Sequence, residues 1–538
     1  MAKNYNIVQP FFETAQRFPN RLALSAGKQD ITYDDLATHA ARLAGHLQPH
    51  LKTGRIGILG SRSLAAYVGI IGAAWAGATY VPLNMKWPVS RLIQVMQNLE
   101  LDAVLLDATG AKLMNDEARA AAPKIIVACD PFSGIEGFDN VTDLQVEPLS
   151  APVFKKADEL AYVEFTSGTT GMPKGVMVSC NALAHYLDET RSWANFVAED
   201  RVAEAQDITF DLSIHNMFLA WEAGSSLHLM TALDMMAPQA FVRKRQITVW
   251  MSVPTIVNNM RRSGALKPGL FETLRLSVFC GEPLGMSTVN AWAEAAPNSV
   301  IENIYGPTEC TIACTRQRLV ASPPVTQERD ILSIGDPYDN VGIIICDENA
   351  EQVADGQTGE IVLAGPQLAD GYFKSPDQTA KAFRVIDGKR LYFTGDLGYR
   401  DARDGKFHHM GRVDNQVKMK GNRIELEEVE THLRKASDTV LAVVVAWPIV
   451  DGSAQGLVGF TTNLDMDEKQ VRAAMSDSLP EYMIPTRIDF RAELPRTTND
   501  KIDRNALVAE LDQLANAPSM ETPIATKQGV SVKHGESV

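Results

Sequence analysis

Apolar positions along the chain fall into two recurring patterns. Short β-branched runs, RIGILG (55–60), AVLLD (103–107), KIIVACD (124–130), VWMSVP (249–254) and LRLSVFCG (274–281), are continuous enough to be strands buried on both faces. The segment YDDLATHAARLAGHLQ (33–48) instead repeats its apolar residues at helical spacing. Buried strands alternating with helices predict an α/β sheet covered on both sides. From about Ser333 the texture turns to Gly- and Asp-punctuated segments, VGIIICDENAEQVADG and GEIVLAG, which read as hairpins of a smaller, barrel-like sheet. After Arg412 it changes again. Leu426, Val429 and Leu433 lie at helical spacing, and TVLAVVVAW, GLVGFTTN, a helix from about Asp467 and the Pro-bounded LPEYMIPTRIDF complete a small α+β unit. No internal repeat of fixed period is visible.

These changes of texture predict an N-terminal core over residues 1–413, a small C-terminal domain over 414–512 and a polar, disordered tail over 513–538. One stretch competes with that map. Leu64 to Leu83, LAAYVGIIGAAWAGATYVPL, is uncharged and about long enough to span a bilayer. Its Gly and Ala content and strand-like ending favour a buried helix followed by a strand. The N-terminus lacks the apolar core of a signal peptide, so a cytoplasmic protein is expected.

Composition narrows the class of function. The 538 residues are 45% hydrophobic and 22% charged, which excludes a disordered, collagen-like or coiled-coil chain. With 51 Lys and Arg against 66 Asp and Glu the net charge is −15, which argues against a nucleic-acid binder. The six cysteines form no CxxC pair, so neither a disulfide framework nor a zinc ribbon is expected.

The densest chemistry lies in AYVEFTSGTTGMPKGVMVS (161–179), where an apolar strand runs into Thr166, Ser167, Gly168, Thr169, Thr170, Gly171 and Lys174. Hydroxyls, glycines that let backbone N–H groups approach and one lysine suit a polyphosphate. The spacing is not that of a Walker A loop. The segment resembles the phosphate loop of the adenylate-forming superfamily, which includes acyl-CoA synthetases, luciferases and adenylation domains of non-ribosomal peptide synthetases. Further motifs of that family follow in order: NIYGPTE (303–309), YFTGD (392–396), GRVDNQVK (411–418), KGNRIE (420–425), LPEYMIP (479–485) and LPRTTNDKIDRNAL (494–507).

The resemblance implies ATP and Mg²⁺ as cofactors and an activated acyl adenylate as the product of the first step. It implies that Thr166 to Lys174 hold phosphates, that Glu309 helps hold the metal and that Thr308 contacts the α-phosphate. Adenine would meet Asn303 and Tyr305, and the ribose would meet Asp396, supported by Arg412. Lys501 would bond the substrate carboxylate, although Asp500 stands before it where the family commonly has glycine. Asp414 would be the hinge of a mobile lid that brings the Lys418–Arg423 loop to the site for a thiol-transfer step.

Asp211 in TFDLSIHNMF (209–218) resembles the aspartate with which amino-acid-activating members bind an α-ammonium. A carboxylate among apolar residues needs such a partner. The implied substrate pocket is Asp211, Leu212, His215, Met251, Val278, Cys280, Ile304, Ile312 and Ala313, closed by Lys501. That set leaves space for a small neutral amino acid, proline ahead of alanine, and is similar to that of free-standing amino acid:carrier protein ligases. The acceptor is expected to be a separate phosphopantetheinylated carrier protein of natural-product biosynthesis, met through a basic strip of Arg487, Arg491, Arg496 and Arg504. The competing readings are an acyl- or aryl-CoA ligase and a non-catalytic adenylate-binding scaffold.

Overall fold

The structure, a computed structural model, describes residues 5–168, 172–439, 441–450, 453–496 and 502–516. By compactness the chain forms two units, one running to Ala492 and one from Glu493. The described residues of the first unit build two large sheets. The nine-stranded one has a parallel centre made by Ser226–Leu229, Arg201–Glu204, Val249–Ser252, Leu276–Phe279 and Val300–Tyr305. The eight-stranded one runs through Leu160–Thr166, Thr79–Pro82, Arg55–Leu59, Ala103–Leu106 and Ile125–Ala128, also parallel. Each expected buried strand is therefore present within a residue or two of its apolar run.

The uncharged stretch from Leu64 is a helix, Leu64–Trp75, with all twelve residues buried, followed by the strand Thr79–Pro82. Among the described residues no helix is long and apolar enough to cross a membrane. The segments after Ser333 pair antiparallel, Gly342–Cys346 with Gly359–Ala364, in a five-stranded sheet. Residues 416–490 carry their own apolar cluster, in which Ile424, Val429, Leu433, Val444 and Leu457 are almost wholly buried. In the second unit the helix Arg504–Asn516 follows Asp503, whose carboxylate accepts from the Ala506 N–H at 3.0 Å.

The elements that carry the site are, in chain order, β1 (Leu160–Thr166), β2 (Lys174–Ser179), α1 (Leu212–Ala223), β3 (Leu276–Phe279), β4 (Val300–Tyr305), β5 (Lys389–Arg400), β6 (Phe407–Arg412), β7 (Gln416–Met419), β8 (Asn422–Glu425) and α2 (Leu426–Ala436). Strands β7 and β8 form a hairpin whose turn is Lys420–Gly421. Gly421 has φ +81°, a left-handed conformation, and an added Cβ would come 3.2 Å from Val253. Only glycine fits there without strain.

Candidate active site

Two adjoining cavities open at the C-terminal ends of β3 and β4, where open parallel sheets place their clefts. They share Gly281, Gly306, Asp396, Arg412, Gln416 and Lys418. Antiparallel pairing of β1 with β2 sets Thr166 opposite Lys174, so the hydroxyl end and the lysine of the Gly/Thr-rich motif meet. Thr166 and Ser167 line the first cavity, and the Thr166 hydroxyl is buried without a hydrogen-bond partner among the described residues. Gly168 donates its N–H to Glu428 at 3.3 Å. Thr169, Thr170 and Gly171 lie outside the described residues, as do Asp500 and Lys501.

Asp211 precedes α1 at the N-cap position, yet its side chain makes no capping bond. It lines the first cavity instead, with Oδ2 buried and unpartnered. Burial pushes its carboxyl up to about 6, a rise that the Thr308 hydrogen bond restrains, Glu309 adds to and Lys418 opposes. Leu212, Cys280 and Ile312 line the same cavity, and Ile304 lines the second. Met251, Val278 and Ala313 are buried in the surrounding core and line neither cavity. His215 also stands back: its Nδ1 lies 2.6 Å from the Tyr186 hydroxyl, and burial lowers its pKa to about 3, so the ring is neutral.

At the junction of the cavities Asp396 accepts from the Tyr305 hydroxyl and from Arg412 Nη1, both at 2.6 Å. Burial would raise its pKa. His409, Arg412 and Lys418 outweigh burial and hold the carboxyl well below the usual carboxylate range. An ionised carboxylate with two engaged lone pairs keeps capacity for further donors. Arg412 is fixed in turn by Asp414, at 2.7 and 2.8 Å. Tyr305 and Asn303 line the second cavity, and the Asn303 amide donates to the Ser333 carbonyl at 2.9 Å.

Glu309 follows Thr308 in a short 3-10 turn and is fully buried. Arg423 of β8 reaches both its oxygens, at 3.1 and 2.9 Å, and the Tyr372 hydroxyl donates to Oε1 at 2.8 Å. Burial opposes the charge, but Arg423 and Tyr372 hold the Glu309 carboxyl below its ordinary range. The β7–β8 hairpin therefore sits on the site. Three more bonds fix it there: Ser167 Oγ to the Arg423 carbonyl at 2.7 Å, the Gly421 N–H to Glu282 at 2.8 Å, and Arg91 to Glu428 of α2 at 2.7 Å. Lys174 lies 5.5 Å over the Tyr372 ring, and burial lowers its pKa.

Two site residues escaped the sequence reading. Tyr372 gives no sequence signal. Glu164 did give one, since it is a charged residue inside the apolar run AYVEFT, and it lines the first cavity with both oxygens buried and unpartnered. Of the arginines expected to form a basic strip, Arg487 and Arg491 both face Asp489, at 2.6 and 3.7 Å, which neutralises part of that surface.

Gramicidin S synthase 1 of Brevibacillus brevis is 31% identical over 519 residues, 94% of this chain, and the chain spans only 44% of that relative's length. The D-alanine–D-alanyl carrier protein ligase of Bacillus velezensis is 29% identical over 518 residues, covering 92% of this chain and 97% of its own. The crystal structure of the Vibrio cholerae adenylation domain AlmE in complex with glycyl-adenosine-5'-phosphate is similar with a TM-score of 0.85 and 30% identity, over 95% of this chain and 99% of that one. The profile of the AMP-binding enzymes matches residues 11–373, and the chain belongs to that family.

Proposed function

We propose that this chain joins ATP to a small α-amino acid as an aminoacyl adenylate and passes the aminoacyl group to the phosphopantetheine thiol of a separate carrier protein. The observation that carries this reading is Asp211, a buried carboxylate oxygen without a partner that faces a cavity. Leaving it unpaired is costly, and an ammonium group removes the cost. The names of two relatives, a D-alanyl carrier protein ligase and an adenylation domain bound to a glycyl adenylate, support the same class. A fatty or aryl acid would leave Asp211 without its ion pair.

The residues present suit the reactants. Thr166 offers an orphaned hydroxyl beside a glycine-rich segment and a lysine, as phosphate oxygens require. Glu309 is already paired with a cationic side chain, so its place suits Mg²⁺, which when bound would supply positive charge to offset that of the phosphates. Tyr305 and Asn303 would hold the adenine, and Asp396, oriented by Arg412, the ribose hydroxyls. Thr166, Ser167, Gly168, Thr169, Thr170, Gly171 and Lys174 would hold the outer phosphates and Thr308 the α-phosphate. Lys501 would steady the amino-acid carboxylate as its oxygen bonds the α-phosphorus and pyrophosphate leaves. In the second step the thiol sulfur bonds the acyl carbon and AMP leaves with the electron pair of the broken acyl–phosphate bond.

The hairpin seated on Glu309 belongs, in this reading, to the second step, with Asp414 as the hinge about which residues 414–512 turn between the two. A third cavity, of about 730 Å³, reaches Gly421 and is lined by Met235, Ile256 and Met260 together with Arg62, Lys86 and Lys420. Apolar walls with nearby cations suit a slender thiol arm that carries a phosphate. ATP–pyrophosphate exchange with each amino acid, beginning with proline, alanine and glycine, tests the proposal. Exchange with amino acids is expected. Exchange confined to fatty or aryl acids would refute it in favour of a CoA ligase, and exchange with no acid of any class would favour a scaffold.

A further inference from the structure

Glu164 lies in the middle of β1, two residues before the Gly/Thr-rich motif, at a position where a buried strand normally carries an apolar side chain. It is 2% exposed, and neither carboxyl oxygen has a hydrogen-bond partner among the described residues. Buried carboxyls are normally paired, so two orphaned acceptors on one side chain are unusual. The same side chain lines the cavity that Asp211 lines. Asp211 and then Asp207 are the charges that act most strongly on it, both unfavourably, and burial and these acids raise its pKa far above the carboxylate range.

Its surroundings are polar on the same side. Tyr162 lies two residues back on β1 and hence on the same face of the sheet. Tyr162 is paired in register with Tyr80, their rings stacked with centroids 5.7 Å apart. Both phenol hydroxyls are buried and unpartnered among the described residues, and both feel the charges of Glu164 and Asp211. Three side chains thus present acceptor oxygens that nothing in the described chain answers. Among the described residues no ion pair is made by Glu164, whereas Glu309 and Asp396 each have an arginine.

Resting on the amino-acid reading above, we propose that Glu164 is a second recognition carboxyl of the substrate cavity, which makes the pocket prefer a compact amino acid bearing a second N–H-donating nitrogen over its hydrocarbon isostere. The α-ammonium pairs with Asp211, and the second nitrogen donates to Glu164, the two acids that line the cavity together. This replaces the neutral side chain expected from the sequence. That expectation drew on pocket positions in which Asp211 was the only acid.

The test is ATP–pyrophosphate exchange by the full-length chain with matched pairs: 2,3-diaminopropionate against 2-aminobutyrate, and 2,4-diaminobutyrate against norvaline. A site built to bond an N–H discriminates strongly against the analogue that lacks it, so wild type should favour one diamino acid by about 100-fold or more in kcat/KM. Glu164→Leu should reverse that order, and Glu164→Gln, which keeps an acceptor but cannot ionise when a cationic ligand arrives, should fall between. Circular dichroism of each variant checks folding, and the isosteric Gln variant preserves the test if Leu does not fold. Exchange with neutral amino acids in preference to both diamino acids, or a preference that Glu164→Leu and Glu164→Gln leave in place, would overturn this inference while the amino-acid reading stands. Exchange with no amino acid would overturn both.

Discussion

Arg423→Ala separates the two half-reactions, and its size follows from the geometry. Arg423 makes two charge-assisted bonds to Glu309, whose side chain is 1% exposed, and its own side chain is 19% exposed. Removing one partner of a buried pair costs about 3–5 kcal/mol, because the remaining charge loses its compensation. Tyr372 still donates to Glu309 at 2.8 Å, so the lower end applies. At about 1.4 kcal/mol per factor of ten, the hairpin-seated arrangement should lose about 10²-fold in population relative to any arrangement without the contact. If the seated hairpin serves thiol transfer, transfer from preformed aminoacyl adenylate to carrier protein should slow by about the same 10²-fold. If Glu309 serves the first step free of Arg423, as proposed, pyrophosphate exchange should change by no more than about threefold. The Mg²⁺ concentration for half-maximal exchange should fall, since a competing cation has been removed.

The assay is single-turnover transfer of radiolabelled amino acid alongside steady-state exchange over a Mg²⁺ series. Arg423→Lys keeps the charge but not the planar fork, so it should recover only part of the transfer rate. Equal losses in the two steps would refute the assignment of the seated hairpin to transfer. So would a rise in the Mg²⁺ requirement.

Two further outcomes follow from the same site. Asp211 is pushed up to about 6 by burial, so its carboxylate forms only above that pH; kcat/KM for the amino acid should fall about tenfold per unit below pH 6, where the substrate ammonium is already present, and Asp211→Asn should abolish that limb. A pH profile flat from 5 to 7 in the wild type would contradict it. Gly421→Ala places a Cβ 3.2 Å from Val253 at φ +81°, at a cost of about 1–2 kcal/mol. Transfer should drop about tenfold with exchange preserved, and loss of exchange without loss of transfer would show the hairpin belongs to the other step.

The fold was legible because both sheets have parallel centres. Strands such as Ala103–Leu106 are buried on each face, so their apolar runs are continuous and bounded, and the runs alone placed them. The uncharged stretch at Leu64–Trp75 is buried all round for the same reason, and only its Gly/Ala content separated it from a membrane span. At the site, the motif residues were legible as chemistry but not as contacts. Nothing local tells that Arg423 lies on Glu309, 114 positions earlier, or that Tyr372 joins them. Glu164 shows the opposite failure. The signal was present in the sequence, but an inventory of expected pocket positions passes over a residue that occupies none of them.

The distribution of charge explains why one cavity can serve two steps. Glu164, Asp211 and Asp396 line the site's cavities, with Glu309 next in the chain to the lining residue Thr308, and all four precede Asp414 in the chain. Lys418 and Arg423 instead lie on the β7–β8 hairpin, beyond Asp414. The ionised Asp396 and Glu309 carboxylates repel a triphosphate unless cations accompany it. With the hairpin seated, Arg423 satisfies Glu309. Were the hairpin to leave, the Glu309 carboxylate would lose its cationic partner and would favour another. Departure of the hairpin and arrival of a divalent cation are then linked equilibria, each favouring the other by the same free energy. On the proposed reading that coupling would order the reaction, because Glu309 would be free to help hold a divalent cation only while the hairpin is away. In the same reading Arg423 would pair with Glu309 again after the first step, the arrangement assigned to the thiol step.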